Sequence, residues 1–139
     1  MSQSKVSPSL VLIMHTPMAA ALKQCAAHVL GNQMANERLL CFDIDADVEV
    51  ELEIQRLYDI IGAHCAEQII LLNDLYGATP YRIAQHVHQR LREQNRQTYL
   101  VTGLSLPMLL KAMTDIPTNG LAAYAQRIAS TADRAAIIE

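Results

Sequence analysis

Leu10, Val11, Leu12, Ile13 and Met14, followed by His15, Thr16, Pro17 and Met18, constrain this chain more than any other stretch. An unbroken apolar run of this length suits a strand buried on both faces, as in the middle of a parallel sheet. Thr16 and Pro17 read as a helix start, with a hydroxyl to cap and a proline at the first helical position. His15 falls where the strand hands over to the helix. In open α/β sheets ligands bind at the carboxyl ends of the strands, so this junction is the first candidate site. A histidine there can serve as a nucleophile, a proton carrier or a metal ligand, or it can simply end a strand and meet water.

Length and composition narrow the setting. A chain of 139 residues fits one domain with a full core. It is 51% apolar and 18% charged, which argues against disorder. A net charge of −3 leaves no electrostatic footprint for nucleic acid. The apolar runs 10–14 and 69–72 are far too short to span a bilayer. Lys5 ahead of an apolar stretch ending in Ala19, Ala20 and Ala21 resembles a signal peptide, but Pro8, His15 and Pro17 interrupt it. Cys25, Cys41 and Cys65 are odd in number and lack paired spacing, as expected of buried thiols in a reducing cytoplasm. The expectation is a cytoplasmic protein with a flexible N-terminus at 1–8 and a single domain over 9–139.

Strands and helices alternate along the chain. After the first strand a helix is expected over 17–30, with Met18, Leu22, Cys25 and Val29 on its inner face and Gly31 as its stop. A strand follows at 38–44. Asp45 or Asp47 then opens a helix with the apolar stripe Val50, Ile54, Leu57 and Ile61, its acidic face solvated. Residues 68–73 read as a second doubly buried strand, ended by Asp74. Asp74 to Pro80 form a turn into a helix that runs to about Glu93, with Thr79 and Pro80 repeating the device of Thr16 and Pro17. A strand at 98–102, a turn at 103–107, a short helix to about Met113 and a last helix from Asn119 or Gly120 complete the pattern. Residues 135–138 are a candidate final strand.

This alternation predicts an α/β fold: a doubly wound, mostly parallel sheet with helices on both faces. Right-handed crossovers and one reversal of strand order give 2-1-3-4. His15 and Asp74 then stand side by side at the switch point, and the helix starts at Thr16 and Thr79 open onto the same crevice. A carboxylate beside an imidazole fixes its tautomer and frees the other ring nitrogen. Helix N-termini favour anions, each by roughly 0.3–1 kcal/mol, so Thr16, Gly77, Ala78 and Thr79 are the expected phosphate-binding residues. No glycine-rich dinucleotide or Walker loop is present, and none of the three turns carries a lysine. A histidine that accepts and passes on a phosphoryl group needs neither, and no cofactor is expected.

Other histidine and carboxylate groups read as ordinary. His28 and His64 lie in helix patterns, and His86 and His88 fall on different helix faces. Asp43, Asp45 and Asp47 imitate the opening of a calcium loop, yet Val48 and Ile54 stand where glycine and glutamate are needed. No metal site is expected.

His15 after its buried strand, Asp74 to Pro80 as D-L-Y-G-A-T-P, and Gly103 to Met108 as G-L-S-L-P-M together resemble the mannose-type IIA components of the bacterial phosphoenolpyruvate-dependent sugar phosphotransferase system. The likeness runs from about residue 9 to 135. It implies that His15 is phosphorylated by the histidine-containing phosphocarrier protein and passes the group to a IIB component, with Asp74 as the histidine's partner. It also implies an antiparallel last strand, a homodimer, and contact with a membrane only through a permease complex. The chain departs from the commoner pattern at Thr16, where glycine is frequent, and at Arg82 and Ser105, where asparagine is frequent. Arg82 and Ser105 are the candidates for partner contact. A regulatory module read in its phosphorylated state, without sugar transport, is the alternative, and a phosphocarrier feeding a dihydroxyacetone-type kinase is a weaker one.

Overall fold

In the computed structural model, which describes residues 7–139, the run at 10–14 lies in the middle of strand β1 (Ser9–His15) and is wholly shielded from solvent. The chain continues through α1 (Met18–Leu30), α2 (Asn32–Arg38), β2 (Leu39–Ile44), α3 (Val50–His64) and β3 (Gln68–Asn73). α4 (Thr79–Glu93), β4 (Gln97–Val101), α5 (Leu106–Thr114), α6 (Gly120–Ser130) and α7 (Ala132–Ala135) follow. The four strands form a parallel sheet in the order β2-β1-β3-β4. β1 therefore lies between β2 and β3, which explains its unbroken apolar run.

Alternation along β1 divides the interior into two cores, because successive side chains leave opposite faces of a strand. Leu10, Leu12 and Met14 meet α1, α5 and α6 on one face. Val11 and Ile13 meet α3 and α4 on the other. The expected stripes hold on α3 at Ile54, Leu57 and Ile61, and on α4 at Ile83, Val87 and Leu91, all buried. With helices on both faces, the doubly wound α/β architecture expected from the pattern is the one observed.

Local expectations fail in three places. α1 buries Ala19, Leu22 and Ala26, while Met18, Cys25 and Val29 are exposed. An alanine-rich helix approaches the sheet closely through its small side chains, so its larger apolar residues do not mark the inner face. α2 has no counterpart in the sequence reading, since its one buried residue is Ala35 and it shows no apolar stripe. α3 begins at Val50, later than an Asp45 or Asp47 start, because Asp45 to Val48 form a turn closed by Val48 N–H on the Asp45 carbonyl.

The antiparallel fifth strand is also a correction. Among the described residues the sheet has four strands; 132–135 form the helical turn α7, and 136–139 are exposed and irregular. Ala132, Arg134 and Ala135 are strong helix formers and add a turn beyond α6. Of the flexible terminus expected at 1–8, residues 1–6 lie outside the described residues, while Pro8 is buried against the start of β1.

Candidate functional site

β1 and β3 run side by side with Ile13 opposite Asn73, so the next residue of β3's chain, Asp74, emerges beside the end of β1. There its Oδ2 accepts from the His15 backbone N–H at 3.2 Å and lies 3.0 Å from His15 Nδ1. A carboxylate only accepts, so Nδ1 carries the proton and, in the neutral ring, Nε2 is the bare nitrogen. The Asp74 side chain is 11% exposed and that of His15 45% exposed. The carboxylate is thus sheltered while the ring reaches solvent. His15 opens onto a cleft of about 310 Å³ lined by Thr16, Ile44, Asp45, Ala46, Thr79 and Pro80. Larger hollows of about 450 and 460 Å³ lie at the amino ends of the strands, away from the switch point.

The two helix starts beside this cleft differ. α1 is capped from outside its own turn: Asp43, on β2, accepts from Ala19 N–H at 2.8 Å and Ala20 N–H at 3.2 Å. Thr16 makes no cap; its hydroxyl donates to Asp45 Oδ1 at 2.7 Å. Two of the first-turn amides of α1, those of Ala19 and Ala20, are therefore already held by a carboxylate, whereas the sequence reading expected them open. α4 begins differently. Its N-cap position is Ala78, no side chain caps it, and Thr79 and Pro80 are its first residues. With proline lacking an N–H, the first-turn amides of Thr79 and Tyr81 are the free donors at this end. The turn before it needs Gly77 in the left-handed region, at φ +84°, a conformation costly for any residue with a Cβ.

The remaining expected site residues fall at different distances from the cleft. Gly77 and Ala78 form the turn leading to its wall, with Ala78 N–H reaching back to the Leu75 carbonyl at 3.5 Å. Arg82 is exposed on α4, one turn beyond Thr79. Ser105 does not line the cleft: its hydroxyl accepts from Met108 N–H at 3.4 Å and caps α5, beside a groove shared with α7. Exposed Leu75 and Tyr76 crown the β3–α4 turn, and the Tyr76 ring lies 4.7 Å from that of Tyr81.

Sequence reasoning missed Asp43 as the α1 cap, Asp45 as the acceptor for Thr16, and Asn73, a fully buried amide at the end of β3. An asparagine closing an otherwise apolar strand was the available signal for the last. Outside the cleft, burial pushes the Cys41 thiol up to about 11, against the pull of Lys23 and helped by Asp43, so it is not a thiolate near neutrality. Burial, then Arg92, holds the His88 imidazole below its ordinary value, with Thr98 Oγ1 2.6 Å from its Nδ1.

Residues 9–129 match the model of the family described as PTS system fructose IIA component, EIIA-man. The chain belongs to this family. Membership gives this EIIA-man chain a general role in phosphoryl transfer within the phosphotransferase system. Its fold is shared by solved structures of low sequence identity. A mannose/sorbose-specific IIA subunit from Enterococcus faecalis is 20% identical, with 96% of each chain covered and a TM-score of 0.79. An EIIA component from Streptococcus agalactiae is 16% identical, with 94% of this chain and 95% of that one covered and a TM-score of 0.77. A sigma-54 interaction domain protein from Enterococcus faecalis is 17% identical, with 95% of each chain covered and a TM-score of 0.74. A search of curated proteins returns no significant match. Among the described residues of this EIIA-man chain, no helix is long and apolar enough to cross a membrane.

Proposed function

We propose that this chain is a phosphoryl carrier in which His15 Nε2 receives the group from a histidine-containing phosphocarrier protein and hands it to a IIB component. The single observation that carries this reading is the Asp74–His15 pair at the switch point, with Nδ1 engaged and Nε2 left to the cleft. In the first step the Nε2 lone pair attacks phosphorus. The new N–P bond forms as the donor's N–P bond breaks, and that electron pair returns to the donor imidazole. His15 becomes cationic as it attacks, and Asp74 balances that charge through Nδ1–H without taking the proton. Transfer onward is the same exchange with the acceptor as nucleophile.

The incoming dianion finds its donors at the start of α4: the free amides, the Thr79 hydroxyl, and the turn of Gly77 and Ala78, where the Ala78 N–H joins by giving up its long bond to the Leu75 carbonyl. Thr16 joins only by leaving Asp45. Arg82 and the exposed Leu75 and Tyr76 belong to the surface a partner meets, whereas Ser105 acts through the α5 cap. The carrier works as one domain over 9–139 in the cytoplasm, reaching a membrane only through its partners.

The direct test supplies phosphoenolpyruvate, its kinase and the phosphocarrier, and follows intact mass. One acid-labile phosphoryl group is expected, lost in His15→Ala; label that persists in that variant removes His15 from the mechanism. A regulatory role is the second reading, favoured by the likeness to the sigma-54 interaction domain protein. A IIB partner that drains the group from His15 supports transport, and phosphorylated protein that no IIB component discharges supports regulation.

The carrier is further proposed to be a homodimer. β4 is a sheet edge, and Ile137 and Ile138 at the chain's end are 79% and 101% exposed. Edges and exposed apolar ends of this kind favour pairing with a second copy. Sedimentation at tens of micromolar is expected to give a dimer, and removal of 134–139 to shift it towards monomer; an unaffected truncated dimer rejects the role of the tail.

A further inference from the structure

Asp74 does not hold His15 unaided. Asn73, wholly buried, donates from Nδ2 to the Ile13 carbonyl at 2.9 Å and to Asp74 Oδ1 at 3.4 Å. One amide thus grips both halves of the pair: the strand that carries the imidazole, two residues ahead of it, and the carboxylate that orients it. With Asp74 Oδ1 drawn towards Asn73, Oδ2 remains for His15 N–H and Nδ1.

The orientation of the Asn73 amide follows from its partners. A carbonyl and a carboxylate accept, so the nitrogen faces them and Oδ1 faces the other way. There the Thr102 hydroxyl donates to it at 2.7 Å. The Asn73 main-chain carbonyl also accepts from Leu104 N–H at 2.9 Å, so the turn after β4 is tethered to the same residue. A continuous series of hydrogen bonds therefore runs from Thr102 through Asn73 and Asp74 to His15. The Asn73 amide at the centre of the series is wholly buried and the other links are part-buried, so loss of a partner at Asn73 is costly.

We propose that Asn73 and Thr102 are positioning residues for His15, acting through Asp74 to hold the imidazole in the Nδ1–H tautomer with Nε2 bare. The inference rests on the reading of His15 as the phosphoryl acceptor, but its structural content can be measured separately. Thr102→Val removes the hydroxyl at nearly constant shape and leaves Asn73 Oδ1 without its donor. The amide then rotates or shifts, Asp74 Oδ1 loses its anchor, and the carboxylate samples positions that no longer fix the ring.

The experiment uses the full chain labelled with ¹⁵N at histidine, with tautomers read from the ring-nitrogen shifts of His15 at a pH where the ring is neutral. Wild type and Thr102→Ser are expected to show the Nδ1–H form almost alone, and Thr102→Val a mixture. Phosphoryl acceptance is expected to fall about fivefold in Thr102→Val, with Thr102→Ser restoring it. Thr102→Ala serves in place of the valine variant if that one folds poorly. A Thr102→Val protein with an unchanged tautomer, or one that loses only thermal stability, overturns the proposal. A wild-type protein that accepts no phosphoryl group defeats the carrier reading alone, because the tautomer comparison still decides this one.

Discussion

Thr16-Pro17 and Thr79-Pro80 are the same dipeptide at the helix starts that follow neighbouring strands, yet the two turns have become different devices. At the first, Asp43 fills the start of α1 and Asp45 holds the Thr16 hydroxyl. At the second, no side chain caps α4, and Thr79 stands exposed at its first turn. One turn is closed by the protein's own carboxylates and the other is left open. The cleft between them is consequently polarised, acidic on the β2 side and rich in free donors on the α4 side. In the proposed carrier, the dianion would be repelled from one wall and received at the other.

The contrast can be broken at the pair it surrounds. Asp74→Asn is expected to keep the fold yet slow transfer by at least about tenfold, equivalent to about 1.4 kcal/mol. An amide can still accept a hydrogen bond through its oxygen but cannot balance an imidazolium. Rapid-quench phosphorylation measures it, and an unchanged rate would make Asp74 a turn residue only.

The closed turn should respond in stability. Asp43→Ala uncaps α1 and is expected to cost about 1 kcal/mol, read as a lower denaturation midpoint at constant slope. If the midpoint does not move, the carboxylate is not holding that helix start. The open turn should respond in the opposite sense. Thr79→Val removes no cap, so its stability is expected to stay within about 0.5 kcal/mol of wild type. Its phosphoryl acceptance should nevertheless fall by a few fold, because a direct donor to the incoming group is lost. Equal stability losses at both positions would erase the distinction.

What the sequence makes legible follows from local physics. β1 and β3 are unbroken apolar runs and the α4 stripe is a periodic signal, and the strand order that follows from them brings His15 and Asp74 together from sequence alone. The carboxylate that closes the first turn comes from Asp43, on a different strand from the helix it caps, and no local pattern announces such a bond. α1 misleads because Ala19 and Ala26 pack closely while the larger Met18 and Val29 stay in solvent. α2 carries no stripe to read. Asn73 was visible only as one polar residue ending an apolar run, and its value lies in three partners spread along the chain: Ile13, Asp74 and Thr102.

The sheltered Nδ1 of His15 has a kinetic consequence. If the proposed carrier reading holds, with that atom committed to Asp74, a single nitrogen is both landing place and point of departure for the phosphoryl group. Donor and acceptor proteins then need the same approach through the same mouth, so they visit in alternation and never together. Traffic through the carrier becomes a two-stroke cycle: an excess of either spent donor or loaded acceptor occupies the doorway and stalls the other half of the exchange.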